Sequence, residues 1–181
     1  MKKLIVFIFI FFTLEAYSQD SNFALLEGVW MWRDSISDSE LVVQLRKETF
    51  QLSTFFGGGI DTVLVGGYRY KKNGVILIDK LSEVSTNKTR SIDYPLRIRS
   101  QKYLSLGIRD YLTQNGRGEF KYIGPSSSVE IISRITPKQI RWILNDISEQ
   151  VVVTFDDEDG DKYFFPDGTA LPTDIVLTKI E

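Results

Sequence analysis

Alternation with a period of two, broken by glycine-containing turns, runs along most of this chain and narrows its architecture more than any other feature. Leu41, Val43 and Leu45 alternate with Gln44 and Arg46, and Ile140, Trp142 and Leu144 alternate with Arg141 and Asn145. Successive side chains of a strand point to opposite faces, so each run buries one face and wets the other. Spacing at three and four residues, the mark of an amphipathic helix, is nearly absent. Asn73-Gly74 and Asn115-Gly116 each stand between β-prone runs, and this dipeptide accepts the positive φ that a two-residue hairpin loop needs. Further turns are expected at "FFGGGIDT", "DDEDGDKYF" and "FPDGTALP", where glycine supplies positive φ. Strands are expected at 28–33, 40–47, 60–71, 75–81, 96–99, 102–113, 118–123, 128–135, 139–145, 150–155 and 174–180, of which about nine or ten should form. The fold class is therefore all-β and antiparallel, a barrel or a sandwich.

The N-terminus obeys a different pattern. "MKKLIVFIFIFFTLEAYSQ" opens with Lys2 and Lys3, is apolar from Leu4 to Phe12 and then turns polar, the build of a secretory signal peptide. Its apolar core falls well short of the roughly 20 residues that span a bilayer. Residues 1–18 are read as the signal peptide, with cleavage before Gln19, and residues 19–181 as one domain, since no linker or internal repeat divides them. The expected location is the periplasm or the extracellular space. The chain has no cysteine, so no lipid anchor on cysteine and no disulfide is expected, and stability rests on the buried core. Loss of residues 1–18 removes Lys2, Lys3 and Glu15; 20 basic residues then face 23 acidic ones, a net charge of −3 against −2 for the full chain. That balance argues against nucleic acid as a partner.

"EGVWMWRD", Glu27 to Asp34, holds two of the three tryptophans. In a strand Trp30 and Trp32 share one face and Val29 and Met31 the other. Gly28 and Trp30 form a Gly-x-Trp, and here the chain resembles the lipocalin-like (calycin) proteins, whose first barrel strand begins with that motif and whose Trp closes one end of the barrel. The ending "LPTDIVLTKIE" extends the resemblance, because such chains finish on a strand whose basic residue covers that Trp. Lys179 stands there, where arginine is more usual. The resemblance implies that residues 19–181 form a single antiparallel up-and-down β-barrel, with a β-sandwich as the alternative, and a closure role for Gly28, Trp30 and Lys179, with Trp32 deeper inside, within reach of a ligand. More closely, the chain is similar to a family of uncharacterised exported proteins of Bacteroidota, with an early "LEG-x-W", a "Y-x-Y-x-x-NG" hairpin, a late "I-x-W-x-L" strand and a "P-T-D-x-V-L-T-K" ending. That family has no assigned activity.

The chain has no histidine, which together with the missing cysteine removes Ser-His-Asp and Cys-His catalysis and ordinary zinc or copper sites. "DDEDGD" at Asp156 to Asp161 departs from calcium-loop spacing at Phe155 and lacks the closing Glu, so it reads as a solvated acidic turn. "GGGI" at Gly57 to Ile60 lacks the Lys-Ser/Thr of a phosphate loop. Asp61 and Asp79 are not brought together by spacing alone. Arg90, Arg97, Arg99, Lys102 and Arg109 with Tyr94 and Tyr103 form a basic and aromatic stretch, read as an exposed strand face rather than an anion site. No enzyme activity, no cofactor and no metal is expected. The reading is a binding module for a small apolar or aromatic ligand, lined by Trp32, Tyr68, Tyr70 and Trp142. The alternative is an envelope structural or interaction protein with a filled barrel. The expected partner is a small hydrophobic ligand or an envelope protein, with no membrane anchor.

Overall fold

The computed structural model describes residues 23–51, 58–100, 104–114, 120–124, 127–136, 138–145 and 169–181. The signal-like segment, the 150–155 strand, the Asn115-Gly116 turn and the acidic turn lie outside the described residues.

The alternating runs form β1 (Gly28–Asp34), β2 (Ser39–Gln51), β3 (Ile60–Lys72), β4 (Val75–Asp79), β5 (Leu96–Ser100), β6 (Leu104–Gln114), β7 (Phe120–Ile123), β8 (Ser128–Ser133), β9 (Gln139–Ile143) and β10 (Asp174–Lys179). All pairings are antiparallel. β1 pairs β2 on one side and β10 on the other, and β2 also pairs β3, so the sheet closes on itself as an eight-strand barrel.

Ten strands fill eight wall positions because two positions are shared. β4 meets β3 at Arg69 to Lys72 and β5 meets it at Leu64 to Gly66, so the two run end to end along the same edge. β7 and β8 divide the edge of β6 in the same way, near Ile108 to Gln114 and at Ser105. The chain thus goes up and down in sequence order. Asp79 ends β4, two residues short of the expected limit, because its Oδ1 accepts the Leu81 amide at 3.2 Å and turns the chain into a 3₁₀ helix, Leu81–Ser85. The Asn73-Gly74 hairpin forms, with both residues at positive φ (50° and 79°), the twist-matched geometry of a two-residue loop.

The interior is made by the inward parity of each strand. Trp30, Leu41, Val43, Leu45, Leu64, Tyr68, Leu96, Ile98, Leu106, Ile108, Ile140, Trp142 and Leu177 form one buried cluster. An eight-strand barrel is just wide enough for such side chains to fill it. Val63, Val65 and Tyr94 form a smaller cluster outside the wall. A single helical turn at 23–26, absent from the strand pattern, seals one end with Phe23 and Leu26. Among the described residues no helix is long and apolar enough to cross a membrane, which leaves spanning by strands unaddressed.

Candidate functional site

Tyr68, Tyr70 and Trp142 stand in the interior cluster, and Trp32 packs against it half-buried. Three of the four thus belong to one interior cluster and the fourth borders it. The Tyr68 hydroxyl donates to the Arg109 carbonyl at 2.6 Å, and burial pushes its pKa far up, so it stays neutral. Trp142 Nε1 is buried without a hydrogen-bond acceptor, which costs about 1–3 kcal/mol. A recess under the helical turn, lined by Leu26, Trp30, Lys138 and Ile140 among others, has about 10 Å³, room for one water.

Trp30 is the more deeply buried of the two neighbouring tryptophans; Trp32 lies further from the sealed end, toward the exposed Arg33. Trp30 Nε1 donates to the Leu26 carbonyl at 2.7 Å, which fastens the helical turn over the barrel. Trp30 pairs with Lys179 across β1 and β10, and Lys179 Nζ lies 5.6 Å from the indole centroid. Burial, then the nearby Lys138 charge, lowers the Lys179 pKa. Gly28 has φ +116° and a Cβ there would collide with the Glu181 carbonyl and the Lys179 side chain. Only glycine satisfies both demands.

The outer wall carries a recess of about 230 Å³, lined by Arg97, Arg99, Ser105, Leu106, Gly107, Tyr122 and Gly124. It follows from register. Leu96 and Ile98 point inward, so Arg97 and Arg99 point outward, opposite Gly107 and Ser105. The Tyr122 side chain lies across Gly107 and Gly124, and a Cβ at either would run into it. Its hydroxyl accepts the Arg97 Nε–H at 2.8 Å, and the Arg97 guanidinium lies 5.4 Å from its ring centroid. Arg99 pairs with Asp61 at 3.0 Å, while Arg99 Nε is buried with no acceptor.

Other members of the basic stretch are used elsewhere. Arg90 grips Asp93 through Nε and NH2 at 3.1 and 2.9 Å, and the hydrogen bond holds the Asp93 carboxyl below its ordinary pKa. The Arg109 guanidinium lies 6.0 Å from the Tyr111 centroid. Lys102 and Tyr103 lie outside the described residues. Asp61 and Asp79 are far apart: Asp79 faces Arg69, eight residues along β3 from Asp61, or roughly 26 Å of strand. Glycosidase carboxylates stand about 5–9.5 Å apart.

One constellation was missed by the sequence reading. Asp110 and Lys121 are register partners between β6 and β7, and both are buried. Asp110 Oδ1 accepts the Leu112 amide at 2.9 Å. Its Oδ2 accepts the Thr113 hydroxyl at 2.8 Å, the Thr169 hydroxyl at 2.7 Å and the Ala170 amide at 3.2 Å. Of these four donors, the Thr169 hydroxyl and the Ala170 amide tie the segment before β10 to β6, and the other two belong to β6 itself. The available signal was parity: Lys121 lies two residues from the inward Ile123.

The model of a family described as "Family of unknown function (DUF6705)" matches residues 1–180. No curated protein and no solved structure matches the chain.

Proposed function

Because the chain belongs to the DUF6705 family, a family of unknown function, we propose its function from geometry: an exported, lipocalin-like, non-catalytic binding module of Bacteroidota that recognises its partner on the outer barrel wall. The groove at Arg97, Arg99 and Tyr122 carries this reading, because it offers about 230 Å³ while the described interior is occupied by Trp30, Tyr68, Trp142 and their neighbours. The chemistry agrees, since a chain without His or Cys lacks the usual nucleophile-base pairs and soft metal ligands. A photocrosslinking residue placed at Ser105 and, on the far side of the barrel, at Val176 tests this in the host. Capture of a host component at Ser105 and not at Val176 is expected. Equal capture at both, or at neither, overturns the outer-wall reading.

A second reading, an apolar or aromatic ligand in the interior touching Trp32, Tyr68, Tyr70 and Trp142, is favoured by the unpartnered Trp142 Nε1, since a ligand oxygen would satisfy it. Native mass spectrometry of protein purified from its own host separates the two. A co-purifying small molecule lost in Trp142→Phe supports the interior site.

A further inference from the structure

We infer that the groove between Arg97 and Tyr122 binds a small monocarboxylate, an inference that rests on the outer-wall reading. Two outward arginines two residues apart on β5 have backbones about 7 Å apart along the strand, and guanidinium is the cation whose planar fork matches carboxylate geometry. Arg97 is pre-set: its Nε donates to Tyr122 Oη, which fixes one edge of the fork. A phenol that accepts this bond still carries a proton to donate. Arg99 is underused: Asp61 takes one of its terminal nitrogens, and its Nε has no acceptor, a buried donor left at a cost.

The floor of the groove is aromatic. The Tyr122 hydroxyl and ring lie where a side chain at Gly107 would stand, opposite Arg97, and also cover Gly124, so an aromatic floor, a hydroxyl at Ser105 and two cations surround one space. Asp61 beside Arg99 sets two positive charges against one negative one. The surplus matches one carboxylate, whereas a doubly charged phosphate would leave Asp61 facing excess negative charge. The volume, about 230 Å³, falls below the roughly 300–1,000 Å³ of drug-sized sites, and suits one sugar acid or one amino-acid-sized acid.

Titration of the full chain after export, followed by the Gly107 amide and the Arg97 Nε–H in nuclear magnetic resonance, tests the assignment with four probes: glucuronate, N-acetylglycine, glucose and inorganic phosphate. Saturable shifts at both positions are expected with one or both carboxylates, and the stronger of the two identifies a sugar acid or an amino-acid-like acid. Glucose should produce none, and Arg97→Gln combined with Arg99→Gln should abolish them. Should that double variant fail to fold, Tyr122→Phe keeps the ring over Gly107 and should weaken carboxylate binding about tenfold, the size of one hydrogen bond to a charged group. Shifts that glucose reproduces, that survive the arginine replacements, or that phosphate elicits at lower concentration overturn the monocarboxylate. Crosslinking at Ser105 without any carboxylate shift overturns the ligand class alone; absence of both overturns the wall reading as well.

Discussion

Trp30 gathers more of this structure's constraints than any other side chain. It fills the sealed end, fastens residues 23–26 through the Leu26 carbonyl, and lies beneath Lys179. Trp30→Ala should cost about 3–5 kcal/mol, as large aromatic truncations in cores do, read as a lower denaturant midpoint with an unchanged slope. The pairing of Gly28 with Trp30 was legible in eight letters of sequence, because a Gly-x-Trp before an alternating run states both a special backbone angle and an inward aromatic residue. Arg97 and Arg99 were legible as an outward pair but not as a groove. Their partners Gly107, Tyr122 and Asp61 come from three other strands, and no local spacing announces a register between strands. The interior carboxyl group of Asp110 was likewise hidden, since a lone acid in "GIRDYL" looks like any solvated one until its four donors are found.

Strand elements announced themselves through alternation and turn chemistry, whereas the excursion between β4 and β5 did not. Residues 80–95 hold two short 3₁₀ turns, Leu81–Ser85 and Ser91–Asp93, too brief to show a period. What holds this segment is polar. Glu83 accepts Lys80 at 2.8 Å and Lys88 at 2.7 Å, and the Tyr94 hydroxyl donates to the Thr86 carbonyl at 2.7 Å while Arg46 approaches it at 3.2 Å. Burial raises the Glu83 pKa, but the hydrogen bonds from Lys80 and Lys88 outweigh it and the net shift is downward; Asp93 is lowered by Arg90. Carboxylates lowered in the fold add stability above their unfolded pKa values, and this is lost as pH falls through the folded ones. Protection of the amides in 81–94, taken relative to their intrinsic exchange rates, should therefore fall below about pH 4, ahead of protection in β2 and β3. Equal loss of protection in both regions would show that these ion pairs do not hold the excursion. Asp110 ties β6 to the segment before β10. Asp110→Ala strands several donors at once and should lower thermal stability by about 3 kcal/mol, measured by calorimetry.

At the scale of the whole molecule, closure was legible because many short alternating runs without a helix leave few architectures, and the sandwich alternative falls to the pairing of β1 with both β2 and β10. The shared wall positions were not, since nothing in the local pattern says that β4 and β5, or β7 and β8, continue one edge. Among the described residues the pairings join strands next or next but one in the chain, except at the seam of β1 with β10, which brings Trp30 to Lys179 and Met31 to Thr178. Hairpins can form by local search, but the seam must gather nearly the whole chain, and loop entropy delays contacts of that separation. The order of events during folding follows: the wall assembles as a curled open sheet, and the ring shuts last. Trp30 sits on the late side of the barrier, so its removal should hasten unfolding far more than it slows folding, and the lifetime of the native protein is then governed by how seldom that single seam reopens.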